Sequence, residues 1–120
     1  MDNKPILLVE DDDAIRQVMA MLLMGEGYEV QTATDGAEAL QAIERIPPSL
    51  VVLDMNMPVL DGWGFAAEAK AQGLKLAILV VTATRETAAR AGTEIGAAGY
   101  LGKRFQLTDF LDAVETLRAA

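Results

Sequence analysis

The run Leu50-Val51-Val52-Leu53, followed at once by Asp54 and shortly afterwards by Pro58, constrains this chain more than any other stretch. Consecutive apolar residues with two β-branched members read as a strand buried on both faces. Pro58 and the Asp61-Gly62 pair forbid that strand from continuing, so Asp54 falls at its tip. An ionised carboxylate beside a dry core is costly unless a cation or hydrogen-bond donors meet it. The rest of the chain has to supply those partners.

Pro5-Ile6-Leu7-Leu8-Val9 is a second such run, and it ends in the acids Glu10 to Asp13. From Ala14 the spacing becomes helical, with Ile15, Val18, Met19, Leu22 and Leu23 on one face. Asp12 or Asp13 is placed to cap this helix and Gly25 or Gly27 to end it; Met19, Met21 and Met24 read as core filler. Tyr28 to Ala33 alternates apolar and polar, which suits a strand with one wetter side at a sheet edge. Asp35-Gly36 opens a second helix carrying Ala39, Leu40 and Ile43, closed by Pro47-Pro48. Beyond the Asp54 strand, Trp63, Phe65, Ala66 and Ala69 mark a third helix that stops near Gly73.

Leu76 to Val81 is an entirely apolar fourth strand ending at Thr82. Arg85 to Ile95 reads as a helix with a thin apolar face, a lightly packed element suited to movement. Gly99-Tyr100-Leu101 is a short fifth strand, followed by Lys103. A last helix is expected from a Thr108 cap, with Leu107, Phe110, Leu111, Val114 and Leu117 on one stripe. Strands alternating with helices in this way predict an α/β domain: a five-stranded parallel sheet, doubly wound with five helices. The order 2-1-3-4-5, the flavodoxin-like winding, puts the wetter second strand and the short fifth strand at the edges. Its switch point lies between strands one and three, where Glu10, Asp11 and Asp54 meet.

Composition narrows the chemistry. At 120 residues the whole chain, 1–120, is read as one domain, and 52% hydrophobic with 23% charged residues is a globular balance. With no cysteine and no histidine, thiolate catalysis, disulfides, a histidine base and nitrogen or sulfur metal sites are excluded. The longest apolar run, Val18 to Met24, falls well short of the roughly 20 residues that span a bilayer. Nothing at the N-terminus reads as a secretion signal, so a cytoplasmic location is the default expectation. A net charge of −8 argues against direct nucleic-acid binding by this domain.

Three carboxylates at neighbouring strand tips repel one another, and a divalent cation relieves that repulsion. Oxygen-only ligands favour Mg²⁺, with Mn²⁺ as a substitute. Thr82 and Lys103 add a hydroxyl and an ammonium at the same sheet edge, suited to the remaining oxygens of a phosphoryl group. A carboxylate can itself act as nucleophile, and Asp54 is the central candidate. Taken singly, each residue has an ordinary explanation as a cap, a turn residue or a surface charge; their convergence does not.

The set Leu8-Val9-Glu10-Asp11-Asp12, Val52-Leu53-Asp54-Met55-Asn56-Met57-Pro58, Asp61-Gly62, Val80-Val81-Thr82-Ala83 and Gly99-Tyr100-Leu101-Gly102-Lys103 resembles a response-regulator receiver domain of two-component signalling. The resemblance covers essentially the whole chain in order and spacing. It implies that Asp54 accepts a phosphoryl group from a histidine kinase, from a histidine phosphotransfer protein or from a small donor such as acetyl phosphate. It implies Mg²⁺ held by Asp11, Asp54 and the Asn56 backbone carbonyl, with Glu10 acting mainly through water, and phosphoryl oxygens engaged by Thr82 and Lys103. Thr82 and Tyr100 would be the switch residues. The fourth helix, fifth strand and fifth helix would be the surface that meets a downstream protein, an output domain or a second copy. Such a protein is a signalling phosphoacceptor and not an enzyme in the turnover sense, though it promotes its own phosphorylation and dephosphorylation. Arg104 departs from the family pattern, which usually has a cis proline after the lysine. A non-proline cis bond costs on the order of 3 kcal/mol, so a trans bond is expected.

Three other readings are open to the same residues. A flavodoxin-like electron carrier would need a glycine- and hydroxyl-rich phosphate loop where this chain has Glu10 to Asp13, and a colourless purified protein disposes of it. An aspartate-nucleophile phosphohydrolase would carry a second carboxylate where this chain has Asn56, and a cap region for which there is no room. A receiver that acts without phosphorylation would not require the full acid, threonine and lysine set.

Overall fold

Ile6–Val9 (β1), Leu50–Leu53 (β3) and Ile78–Thr82 (β4) are buried at every position, as strands covered on both faces must be. The structure is a computed structural model that describes residues 4–103 and 105–118. Val30–Ala33 (β2) and Gly99–Gly102 (β5) complete a five-stranded parallel sheet in the order β2-β1-β3-β4-β5. Both edge strands are only partly buried, as their mixed composition predicts. Observed strands are a residue or two shorter or longer than the apolar runs. β2 omits Tyr28 and Glu29, β4 omits Leu76 and Ala77, and β5 extends to Gly102.

The helices are Asp13–Gly25 (α1), Gly36–Arg45 (α2), Gly62–Ala71 (α3), Arg85–Ile95 (α4) and Leu107–Arg118 (α5). Alternation along the strands divides the core into two layers. Leu7, Val9, Val51, Leu53 and Val80 face Ala39, Ile43, Phe65, Ala88 and Ala91 of α2, α3 and α4. Ile6, Leu8, Leu50, Val52, Leu79 and Val81 face Met19, Leu23, Phe110 and Val114 of α1 and α5. Each of the first four helices is opened by a side chain that accepts an early amide: Asp12 from Ile15, Asp35 from Glu38, Asp61 from Gly64 and Thr84 from Thr87. Such caps contribute about 1 kcal/mol each, and here they also fix where each loop leaves its strand tip.

Several expectations are corrected. Val18, Met21 and Met24 are exposed, Met21 by 68%, so they are not core filler. The stripe that α1 buries is Met19, Ala20 and Leu23, because the apolar arc of this helix is wider than the strip the sheet covers. α5 begins at Leu107, which is itself exposed; Thr108 lies inside the first turn and the amide of Phe110 bonds the carbonyl of Gln106. The thin face of α4 is small but fully used, with Ala88 and Ala91 inaccessible to solvent. The expected trans bond at Arg104 lies outside the described residues.

The loop after β3 carries local strain. Val59 has φ 67°, the left-handed region that a β-branched residue rarely adopts, and its side chain is exposed. Asparagine tolerates that conformation, so Val59→Asn is expected to raise stability by about 1 kcal/mol in urea denaturation. Leu23→Ala is expected to cost roughly 2–5 kcal/mol in the same assay, whereas Met21→Ala should stay within about 0.5 kcal/mol.

Candidate functional site

Register brings the acids together. Val9 lies opposite Leu53, and Leu53 opposite Val80, so Glu10 and Asp54 each follow a strand residue at the same level of the sheet. The Asp54 amide donates to the Val9 carbonyl at 3.0 Å, which locks the two tips together. Gly62 at the start of α3 lies directly behind Asp54. A Cβ there would sit 2.6–2.9 Å from Met55 Sδ, Met55 Cα and the Asp54 carbonyl, so only glycine permits this packing.

The carboxylate oxygens of Glu10, Asp11 and Asp54 lie within 4.8 Å of one another. Glu10 and Asp54 are buried, with 2% and 3% exposure, and Asp11 forms the open rim. Lys103, at the end of β5, reaches across to both buried acids: its Nζ is 3.0 Å from Glu10 Oε1 and 3.3 Å from Asp54 Oδ2. Glu10 Oε2 also accepts from the Asp12 amide at 3.1 Å, and Asp54 Oδ1 from the Asn56 amide at 3.3 Å. Thr82, wholly buried at the tip of β4, accepts from the Asn56 side-chain amide at 3.3 Å. Its carbonyl accepts from the Lys103 amide at 2.6 Å, tying the β4 and β5 tips to each other. Every residue expected at the sheet edge, Glu10, Asp11, Asp54, Asn56, Thr82 and Lys103, therefore falls in one cluster. Tyr100 does not; it lies further back on β5, 43% exposed, with its ring carbon 3.5 Å from where a Cβ on Gly92 of α4 would stand.

Electrostatics follow from this geometry. Burial pushes the Glu10 carboxyl up to about 7, with the Asp54 charge adding to the rise and the Lys103 and Asp12 contacts opposing it. Burial likewise raises Asp54 above the usual carboxylate range against the pull of Lys103. For Lys103, desolvation by burial acts downward but is outweighed by the bonds and charges of Glu10 and Asp54, which hold its ammonium above the usual value. Ionised, the three carboxylates exceed the single ammonium by two charges, which a divalent cation would match. The donor set is all oxygen, so it fits a hard cation such as Mg²⁺.

One contributor left no mark in the sequence pattern. Arg16, in the first turns of α1, turns back and donates through Nη1 to the carbonyl of Glu10 at 3.0 Å and of Asp11 at 3.5 Å. Its Nη2 pairs with the Asp13 carboxylate. Arginine at a polar position of a helix reads as a solvated charge, and contacts to backbone carbonyls have no periodicity to detect.

Residues 6–115 match the family described as the response regulator receiver domain, and the chain belongs to that family. It is 41% identical over 113 residues to the response regulator MprA of Mycobacterium leprae (strain TN), an alignment covering 93% of this chain and 50% of that one. The chain thus spans about half the length of the curated relatives it matches. Among solved structures it resembles a response regulator from Chloroflexus aurantiacus J-10-fl, with a TM-score of 0.90, 34% identity and coverage of 99% and 100% of the two chains. It also resembles the receiver domain of sensor histidine kinase PA1611 from Pseudomonas aeruginosa PAO1, with a TM-score of 0.88, 28% identity and coverage of 99% and 100%. That structure has a magnesium ion coordinated in its active-site cleft.

A carboxyl whose folded value is raised stabilises the fold below its unfolded value, and that contribution is lost as pH rises through the folded value. For Glu10 the window is from about 4.5 to about 7. Without divalent cations, the stability difference between Glu10→Gln and the native protein is expected to shift in favour of the variant by about 1–3 kcal/mol from pH 4.5 to pH 8. Urea denaturation across that range measures it.

Proposed function

We propose that this receiver accepts a phosphoryl group on Asp54, with Mg²⁺ or Mn²⁺ as cofactor, and relays the change through Thr82 and Tyr100 to the surface formed by α4, β5 and α5. The observation that carries the reading is the meeting of Glu10, Asp11 and Asp54 oxygens within 4.8 Å, with the Lys103 ammonium bonded to the two buried acids. Glu10, Asp11, Asp54 and the Asn56 backbone carbonyl are the groups that would hold the cation. When bound, it supplies neutralisation of charge on the phosphoryl oxygens.

An Asp54 carboxylate oxygen attacks phosphorus, and the bond from phosphorus to the donor's imidazole nitrogen, or to the acetate oxygen of acetyl phosphate, breaks. The electron pair leaves with the donor and an acyl phosphate remains on Asp54. Lys103 is already within bonding distance of Asp54 and is placed to follow the negative charge onto a phosphoryl oxygen. Thr82 accepts from the Asn56 side-chain amide, which leaves its own O–H free to donate to a phosphoryl oxygen. Tyr100 then has a reason to move, because the β4 and β5 tips are bonded through the Thr82 carbonyl and the Lys103 amide. Beside it, the cleft lined by Thr84, Arg85, Tyr100, Phe105, Gln106 and Asp109 encloses about 820 Å³. A surface with that recess, repacked by the switch, is where a downstream protein, an output domain or a second copy would bind.

The donor is a sensor histidine kinase or a histidine phosphotransfer protein, and the setting is the cytoplasm. No helix among the described residues is long and apolar enough to cross a membrane. The side chain of Asn56 carries no proton to give or take as an acid, which removes the acid/base partner a phosphohydrolase of this chemistry uses.

Incubation with Mg²⁺ and acetyl phosphate is expected to add one phosphoryl group by intact mass, and beryllofluoride with Mg²⁺ to shift the amide resonances of Thr82, Tyr100 and α4. Asp54→Asn should lose both responses. An unchanged mass together with unchanged spectra in the native protein would sink the proposal.

A further inference from the structure

We propose that Arg16 is a positioning residue for the cation site, holding the Glu10–Asp13 loop in the conformation that presents the Asp11 carboxylate to the ion. This rests on the phosphoacceptor reading and adds a component outside the acid, threonine and lysine set. The Asp11 side chain is exposed and has no hydrogen-bond partner among the described residues. Its direction is therefore set by the backbone that carries it. That backbone is fastened from one side by Arg16, whose Nη1 donates to the Glu10 carbonyl at 3.0 Å and to the Asp11 carbonyl at 3.5 Å while Nη2 pairs with the Asp13 carboxylate. Fixing the Glu10 and Asp11 carbonyls fixes the two peptide planes that flank the Asp11 Cα, and with them its Cα–Cβ direction.

The placement of this arginine is otherwise unfavourable. A cation in the first turns of a helix opposes the positive end of the helix dipole. It also adds positive charge beside a site meant for a divalent cation, which by itself lowers ion affinity. Only 15% of the Arg16 side chain is exposed, although its partner Asp13 lies in solvent, and its three acceptors orient it. The Asp12 carbonyl is bonded by the Arg16 amide at 2.9 Å, so the same residue closes the loop through its main chain as well. The loop holding the acids is thus built around Arg16, much as outer groups orient the ligands of other metal sites.

Positioning and simple electrostatics predict opposite results. Mg²⁺ is titrated into unphosphorylated native protein, Arg16→Met, Arg16→Lys and Asp54→Asn, with binding followed by calorimetry and by the amide resonances of residues 10 to 13. If Arg16 positions the loop, Arg16→Met binds Mg²⁺ roughly 10-fold more weakly despite losing a positive charge. Arg16→Lys, which keeps the charge and loses the fork, binds no more tightly than Arg16→Met. In both variants the resonances of residues 10 to 13 broaden or shift before any ion is added, while those of the sheet stay in place. Arg16→Met binding Mg²⁺ as tightly as the native protein, or more tightly, overturns the proposal and leaves the phosphoacceptor reading intact. Native protein that binds no Mg²⁺ overturns both. Should the methionine variant unfold, Arg16→Lys decides alone: weaker Mg²⁺ binding than the native protein supports positioning, and native affinity overturns it.

Discussion

The structure depends on placing Asp54, a charged group, at the tip of the central strand of a dry sheet. The neighbours of that carboxylate act on the cost of its burial in opposite directions. β1 delivers Glu10 at the same level, which worsens the repulsion, and β5 delivers Lys103, which bridges both acids at 3.0 and 3.3 Å. Pairing with an ammonium that is itself only partly shielded leaves the acids short of full compensation, so both stay raised above the ordinary carboxylate range. The site is therefore electrostatically unfinished as the chain alone makes it. That residual negative charge is what a divalent cation at these oxygens would neutralise.

Much of this was legible in the residues. The apolar runs ending at Glu10, Asp54 and Thr82 define strand tips, and the winding of a parallel sheet brings those tips to one edge. Lys103 was legible for the same reason, as the first charge after the last strand. What escaped depended on side-chain direction and not on pattern. Val18 shares the helical face of Met19 and Leu23, yet only the latter two are buried, because spacing does not say how much of a helix its partner covers. Met21 and Met24 read as core from residue type alone. The start of α5 shifted because Thr108 is a good cap by type, while the chain entering from β5 already turns at Gln106. Arg16 was missed because its partners are main-chain oxygens, which every residue has.

The two halves of the site differ mechanically. The acid side is braced: the Asp54 amide is bonded to Val9, Gly62 packs without a Cβ against Asp54, and Arg16 holds the loop above. The threonine and lysine side is linked but lightly covered, with α4 contributing only alanines and Gly92 to its buried face. A braced half beside one covered only by small side chains is the arrangement in which a local change displaces the second half more readily than the first.

The bonds across the strand tips have a consequence for how the chain folds. Glu10, Asp54, Thr82 and Lys103 come from segments far apart in sequence, and the bonds that join those segments exist only once the strands that carry them have paired. An ion held by Glu10, Asp11 and Asp54 would bind only chains in which β1 and β3 have paired, so its binding energy would add to the stability of that pairing and not to the unfolded chain. Occupancy would then slow the local opening of the β1–β3 pair and make the domain's lifetime against proteolysis a measure of the ion around it.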